Sequence, residues 1–166
     1  MRGASDFLGL LRVLSEHEVE LIVVGGVAAI LAGAPISTFD LDVVHRRSPE
    51  NLERLVAALR ALHARYRDPA GRHIEPDADK LSGPGQHLLL TDRGPLDVLG
   101  TIGAGRGYEE LVERCHQYEV EGFRVKVLEL AAVIRSKEEA NREKDKAALP
   151  ALYRALALRE EREPPL

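Results

Sequence analysis

A short apolar run that ends at two glycines is the sequence feature that most constrains the fold. Leu21–Val24 is rich in β-branched residues and stops at Gly25 and Gly26, which predicts a buried strand followed by a tight turn. The alanine-rich segment 27–31 fits about two turns of helix, and Gly33 then ends it. Strand, turn and helix in this order predict an α/β (α+β) fold, in which helices flank a small mixed sheet.

The next segment predicts a second strand that carries two acids. Residues 38–44 alternate in polarity, and on a strand Asp40 and Asp42 would project from one face with Cα atoms roughly 6.5–7 Å apart. Two neighbouring carboxylates repel each other unless a cation lies between them, and a hard divalent cation such as Mg²⁺ suits oxygen ligands. The opposite face should point into a core and carries Phe39, Leu41 and Val43.

The size and composition indicate one globular unit. The 166 residues suit a single domain, with a core at about 18–128 and C-terminal helices at about 129–160. The net charge of −4 gives no global signal for nucleic acid, and Cys115 is the only cysteine, which excludes an internal disulfide. No leader-like or membrane-spanning apolar run is found, so we expect a cytoplasmic protein that does not contact the membrane.

Local signals place several further elements in the first two thirds of the chain. Ser5 is predicted to cap a first helix, and Ser48-Pro49 to start another that ends near Tyr66. The segment 67–86 is predicted to be a loop with a short extended piece at 72–75. Two strands, 87–91 and 95–99, are joined by a glycine turn that predicts a hairpin.

The last third of the chain is predicted to contain a hairpin and then helix. Residues 117–120 and 123–128 alternate around a glutamate-glycine turn, and a helical pattern runs from Glu129 onward. Pro150 predicts a break or a new helix start, and the charged tail 159–166 is expected to be frayed.

Three acids are candidates for one metal-dependent site. Asp97 lies on the second strand of the first hairpin and could join Asp40 and Asp42 around one or two cations, as phosphoryl chemistry requires. The turn at Gly25-Gly26 offers backbone N–H groups at a helix start, where a phosphate can approach without meeting a Cβ atom. Other interpretations stay open, because an Asp-x-Asp pair also occurs on exposed strands and Asp97 could face solvent.

These motifs, taken together, resemble a known superfamily. The two glycines, the short helix and Thr38-x-Asp40-x-Asp42 are similar to the signature of the polymerase-β-like nucleotidyltransferases. The gap between glycines and acids, and the segment from Lys137 to Asp145, resemble the AbiEii-type branch, which includes toxins of bacterial toxin–antitoxin pairs. The resemblance covers roughly residues 18–156.

The resemblance implies a reaction and a set of residues. It implies Mg²⁺-dependent transfer of a nucleoside monophosphate from an NTP to a hydroxyl of RNA, such as the 3′ end of a tRNA, or of a protein. A cognate antitoxin is an implied partner. Two metal ions could be held. The metal ligands would be Asp40, Asp42 and Asp97; the catalytic residues would be these three acids and Lys137; and nucleotide binding would involve Gly25, Gly26, Thr38, Lys137 and Asp145.

Two positions depart from the family pattern. Relatives often carry serine where this chain has Gly26, and a basic residue where it has Ile36, and both help to hold the triphosphate. A non-catalytic binding protein on the same scaffold is therefore an alternative function. A dinucleotide-binding fold fits poorly, because the chain has no Gly-x-Gly-x-x-Gly motif and its paired acids come too early.

Overall fold

A seven-stranded mixed sheet organises the structure, a computed structural model that describes residues 5–162. The strands are β1 (Leu21–Val24), β2 (Leu41–His45), β3 (Arg65–Tyr66), β4 (Gln86–Thr91), β5 (Gly94–Leu99), β6 (Cys115–Val120) and β7 (Phe123–Leu128). Their order across the sheet is β3-β4-β5-β2-β1-β7-β6. The β2–β5 and β1–β7 pairs are parallel, while the other four neighbouring pairs are antiparallel. This architecture confirms the predicted α/β (α+β) fold class.

Helices surround the sheet. In the described residues they are α1 (Phe7–Glu16), α2 (Gly25–Leu31), α3 (Pro49–Ala61), α4 (Ala78–Leu81), α5 (Tyr108–Leu111), α6 (Leu130–Ala140) and α7 (Glu143–Arg162). A short 3-10 turn at Val112–Arg114 extends α5. Between residues 5 and 162, every helix is too short or too polar to cross a membrane.

The N-terminal caps of two helices can be compared with the caps predicted from the sequence. The Ser48 side chain accepts a hydrogen bond from the Asn51 amide, and Pro49 occupies the first turn of α3, as predicted. At α1 the prediction is wrong, because the cap is Asp6, whose carboxylate accepts from the Gly9 amide at 2.9 Å. Aspartate caps a helix as well as serine does, so the neighbouring residue could take the role.

The second strand is shorter than predicted. It begins at Leu41, so Asp40 lies immediately before it rather than within it. Leu41 and Val43 are fully buried, as expected from the alternation, but Phe39 is 79% exposed. The prediction of a core role for Phe39 is therefore wrong, because the alternating pattern extends beyond the residues that pair with neighbouring strands.

The region after α3 also differs from the prediction. The helix ends at Ala61 rather than near Tyr66, since His63 takes the left-handed conformation with φ at 52°. The chain then turns into β3, which pairs with β4 at the sheet edge. Residues 72–75 form no strand, although the Ile74 carbonyl accepts from the Tyr66 amide at 2.8 Å.

The C-terminal helical region breaks at a different place from the one predicted. The helix runs through Pro150 without ending there, whereas Asn141 adopts φ of 53° and separates α6 from α7. Asparagine tolerates this left-handed conformation better than most residues. The expected fraying at 159 is also wrong, because α7 reaches Arg162 and the Arg159 guanidinium donates to the Ala32 carbonyl at 3.1 Å. Residues 163–166 of that predicted tail lie outside the described chain.

A buried histidine on the core side of β2 gives the fold a pH dependence. His45 is fully buried, and one ring nitrogen lies 2.8 Å from the Leu81 carbonyl. Burial lowers the pKa of His45 below its usual 6.5, whereas a hydrogen bond from exposed His63 to Asp92 raises the pKa of His63. As pH falls below 6.5, the unfolded chain gains a proton that the folded His45 excludes, so His45 lowers the free energy of unfolding.

We therefore expect the His45 ring to titrate below pH 6.5 and the His63 ring above it in one NMR titration. His63 is the internal control, because both rings experience the same buffer. Urea denaturation should show the His45 contribution to stability falling between pH 6.5 and the lower pKa of the folded ring. A His45 ring that titrates together with His63 would contradict the buried, neutral state.

Candidate active site

Two of the predicted acids lie side by side on parallel strands. Asp42 on β2 and Asp97 on β5 are partners in register, so both side chains leave the same face of the sheet. Burial, and after it the neighbouring charge of Asp97, together raise the pKa of Asp42 to about 7. Burial also raises the pKa of Asp97. Among residues 5–162, the buried Oδ1 atom of Asp42 has no hydrogen-bond partner. This pair therefore carries an electrostatic penalty that a bound cation would relieve.

Asp40 lies close to this pair at the start of β2. Its charge contributes to the raised pKa values of both Asp42 and Asp97, which places the three acids in one electrostatic cluster. The side chain of Asp40 is 39% exposed, compared with 15% for Asp97. Asp40 is thus the member of the cluster most open to solvent.

The first glycine of the predicted turn packs directly against Asp42. Gly25 opens α2 with φ at 64°, and a Cβ atom built on it would lie 2.3 Å from Oδ2 of Asp42. A side chain at this position would therefore clash with the carboxylate and strain the backbone. The close approach brings the start of α2 to the acids, as the phosphate-binding prediction requires.

The second glycine has a different neighbour. A Cβ atom at Gly26 would lie 2.8 Å from the Cβ atom of Thr38, whose hydroxyl donates to the Asp40 carbonyl at 3.3 Å. A serine at position 26 would require Thr38 to move. Thr38 therefore gives a steric reason for the glycine that departs from the family pattern. Ile36, the other departure, packs against the hydrophobic core.

Lys137 and Asp145, both predicted to bind the nucleotide, lie close together across the break between two helices. Lys137 lies on α6 and Asp145 on α7, and the Nζ–Oδ1 distance is 3.6 Å because the chain turns at Asn141. Burial alone would raise the pKa of Asp145, but hydrogen bonds from the Arg142 side chain and amide hold it below its usual value. Asp145 thus remains an anion that fixes the lysine.

A cavity of about 290 Å³ joins the two halves of the site. Its lining includes Gly25 and Asp42 on the sheet side and Lys137 and Asp145 on the helical side. The positive charge of Lys137 partly offsets the raised pKa of Asp42, so the lysine lies within electrostatic range of the acids. A polyanionic ligand in this cavity would therefore meet a glycine turn and a lysine.

Solved structures share this architecture. No family model and no curated protein matches the chain. LnuA, a lincosamide antibiotic adenylyltransferase solved with lincomycin, is 11% identical with a TM-score of 0.58, over 88% of this chain and 93% of LnuA. The antibiotic-resistance factor ANT(2'')-Ia is 17% identical with a TM-score of 0.55, over 89% of this chain and 80% of its own. A structure of ANT(2'')-Ia in complex with adenylyl-2''-tobramycin matches at the same TM-score.

The fold is that of the nucleotidyltransferases. At these identities the likeness concerns the arrangement of helices and strands, and the AbiEii-type toxin branch stays a prediction. In this nucleotidyltransferase fold, the predicted residues Gly25, Asp42, Lys137 and Asp145 line one cavity, while Gly26 and Thr38 pack against each other.

One further residue, which the sequence pattern does not predict, lies at the site. Arg67 follows β3 and forms an ion pair with Asp97, and its second terminal nitrogen lies 3.8 Å from Oδ2 of Asp40. Residues 65–67 alternate between charged and aromatic side chains, which is a weak indication of a strand, but they lie at the edge of a region predicted to be a loop. Within residues 5–162, no three His, Cys, Asp or Glu side chains are arranged to hold one metal ion.

Proposed function

We propose that the protein transfers a nucleoside monophosphate from an NTP to an acceptor hydroxyl. The observation that carries the proposal is the pairing of Asp42 with Asp97 in register, across a cavity from Lys137, in a nucleotidyltransferase fold. The acceptor oxygen would form a bond to the α-phosphorus, and the bond to pyrophosphate would break. Such transfer depends chiefly on positioning and on electrostatic stabilisation of the phosphates.

Several features of the site suit Mg²⁺. Asp42 has a buried oxygen without a partner among residues 5–162, and its other oxygen lies where a Cβ atom at position 25 would clash with it. Mg²⁺ commonly binds one or two protein carboxylates and completes its octahedron with water and substrate phosphate, so a three-carboxylate cage is not required beforehand. Asp40 and Asp42 would hold the ion, with Asp97 as a third ligand. When bound, Mg²⁺ would neutralise negative charge on the phosphates.

The remaining roles follow from position and charge. Lys137, held by Asp145 at 3.6 Å, would pair with the phosphates of the NTP, and the backbone at Gly25 and Gly26 would face them. Asp97, whose pKa is raised by burial, would be the base that accepts the proton of the acceptor hydroxyl.

The surface beside Asp97 supports an anionic acceptor. In register, Leu88 is the β4 partner of Asp97, and it is 42% exposed on the same face of the sheet. Arg67 extends into this face, and by strand alternation Arg65 lies on it as well. Two arginines and an apolar side chain suit a phosphate and a base of an RNA 3′ end better than a polycationic aminoglycoside.

An RNA or protein hydroxyl therefore remains the proposed acceptor, and a toxin with a cognate antitoxin remains the proposed context. The adenylyltransferase likeness makes an antibiotic hydroxyl a second candidate. A non-catalytic binding protein is the alternative, and Gly26 and Ile36 favour it because neither position offers a polar or charged group to the triphosphate.

A labelling experiment separates these functions. The purified protein is incubated with Mg²⁺ and each α-labelled NTP, together with total RNA, a protein extract, lincomycin or tobramycin. We expect label in the RNA fraction, at least about 100-fold above the Lys137→Ala variant, because the lysine stabilises charge on the phosphates. Label on an antibiotic would identify the second candidate. NTP binding without label on any acceptor would support the non-catalytic alternative.

A further inference from the structure

The Arg67 side chain crosses one strand to reach the proposed site. Leu88, Asp97 and Asp42 form one row across β4, β5 and β2, and Arg67, just after β3, lies beside Leu88 at the end of this row. Neighbouring strands lie about 4.8 Å apart. Arg67 must therefore bridge roughly 10 Å between Cα atoms to meet Asp97, which only a long side chain can do.

The arginine is fixed in this position by its own backbone and side-chain contacts. Its amide donates to the Leu88 carbonyl at 3.0 Å, and its Nε atom donates to the Leu89 carbonyl at 3.2 Å. One terminal nitrogen pairs with Asp97 and the other lies 3.8 Å from Asp40. The Arg67 side chain is 29% exposed. The contact is therefore a partly buried, multiply anchored ion pair.

The charges around the three acids indicate how the Arg67–Asp97 ion pair affects metal binding. Three carboxylates lie together, and two cations act on them: the charge of Lys137 lowers the pKa of Asp42, and the charge of Arg67 lowers the pKa of Asp97. A divalent cation that used Asp97 as a ligand would need the same carboxylate oxygen and would be repelled by the arginine. Arg67 and a metal ion thus compete for Asp97.

We propose that Arg67 is an internal counter-ion that occupies Asp97 in the nucleotide-free protein and must leave before this carboxylate can bind a divalent cation. The proposal rests on the proposed function only for the identity of the ion. It makes Arg67 a positioning residue that limits metal occupancy, because its guanidinium pairs with Asp97 and also lies 3.8 Å from Asp40.

The test is Mn²⁺ binding, measured as the loss of the free-ion EPR signal, with no nucleotide present. We expect Arg67→Met to bind Mn²⁺ about tenfold more tightly than the natural protein, which corresponds to about 1.4 kcal/mol. Methionine keeps much of the apolar stem and removes the charge. Arg67→Lys should stay within about threefold of the natural protein. Arg65→Met is the matched control, since it removes the charge of an arginine two residues earlier in the chain, and its Mn²⁺ affinity should be unchanged.

A double-mutant cycle tests whether Arg67 affects Mn²⁺ binding through Asp97. In an Asp97→Asn background, Arg67→Met should no longer tighten Mn²⁺ binding, because the contested carboxylate is gone. Equal or weaker binding by a folded Arg67→Met protein would overturn the proposal, as would an equal gain in Arg65→Met. If Arg67→Met does not fold, Arg67→Gln replaces it in the same Mn²⁺ binding measurements.

The outcome is separable from that of the proposed function. If the Arg67 variants change Mn²⁺ affinity as expected while no acceptor is labelled, the counter-ion role stands and nucleotidyl transfer is refuted. If acceptors are labelled while the variants leave Mn²⁺ affinity unchanged, transfer stands and the counter-ion role is refuted.

Discussion

Asp42→Asn should abolish nucleotidyl transfer, with a loss of about 10³-fold or more, while the protein becomes more stable at alkaline pH. Asparagine keeps the shape of the side chain but removes the charge that would hold a cation beside Gly25. A loss of this size is expected when a group that stabilises transition-state charge is removed. Labelled NTP transfer measures it, and calorimetry of the combined Asp40→Ala and Asp42→Ala protein should show no Mg²⁺-dependent NTP binding.

The gain in stability follows from the sign of the pKa shift. The pKa of Asp42 is raised from its usual 3.8 to about 7, mainly by burial, so the folded protein keeps a proton that the unfolded chain has released. The free energy of unfolding therefore falls as pH rises from about 4 through 7. Asp42→Asn does not titrate, so we expect it to exceed the natural protein by about 1–3 kcal/mol at pH 8 and to match it near pH 4.

Urea denaturation in the presence of a chelator measures this difference. Asp79→Asn is a suitable control, because Asp79 is an exposed aspartate of α4 and its replacement should not stabilise the protein at either pH. An Asp42→Asn protein that transfers nucleotide at the natural rate would remove Asp42 from the proposed mechanism. Equal stability of the two proteins at pH 8 would contradict the raised pKa.

Gly25→Ala should destabilise the protein and prevent NTP binding. Alanine at φ of 64° strains the backbone by about 1–2 kcal/mol. Its Cβ atom would also lie 2.3 Å from Asp42, so the carboxylate or the start of α2 must shift. We expect a total loss of about 2–4 kcal/mol in the free energy of unfolding. Urea denaturation measures the stability, and calorimetry with NTP and Mg²⁺ measures the binding.

Gly33→Ala is the matched control for this substitution. Gly33 also has a positive φ, of 96°, but a Cβ atom there would have no neighbour within 4 Å in the part of the chain that the structure describes. Gly33→Ala should therefore lose only the free energy of unfolding that backbone strain accounts for, and it should retain NTP binding. If Gly25→Ala loses no more stability than Gly33→Ala and still binds NTP, the close approach of Gly25 to Asp42 has no role in the site.

The features that could be predicted from the sequence depend on neighbouring residues. The β-branched run before Gly25, the glycine-turn hairpin and the cap at Ser48 each have a local chemical cause, and the structure contains all three. Strand alternation predicted a shared face only for Asp40 and Asp42, and Asp97 was a candidate third acid. The register that sets Asp97 beside Asp42 required knowledge of which strands are neighbours. The roles proposed for these acids stay a prediction.

The features that could not be predicted depend on distant pairings or on competition between neighbouring residues. Arg67 reaches Asp97 only because β3 pairs with β4 at the sheet edge, and nothing near position 67 specifies that partner. The helix break falls at Asn141 rather than at Pro150 because a helix can contain a proline at the loss of one backbone donor. Phe39 follows the alternating pattern of β2 but lies outside its paired residues.

The turn at Asn141 also sets an order for completing the site during synthesis. Lys137 and its anionic partner Asp145 lie on different helices, and α7 follows every strand in the chain. A ribosome therefore releases all seven strands, with the three acids, before it releases the aspartate that fixes the lysine. A nascent chain can pair its strands early, yet Lys137, the lysine proposed to bind phosphate, stays unanchored until α7 has emerged and docked.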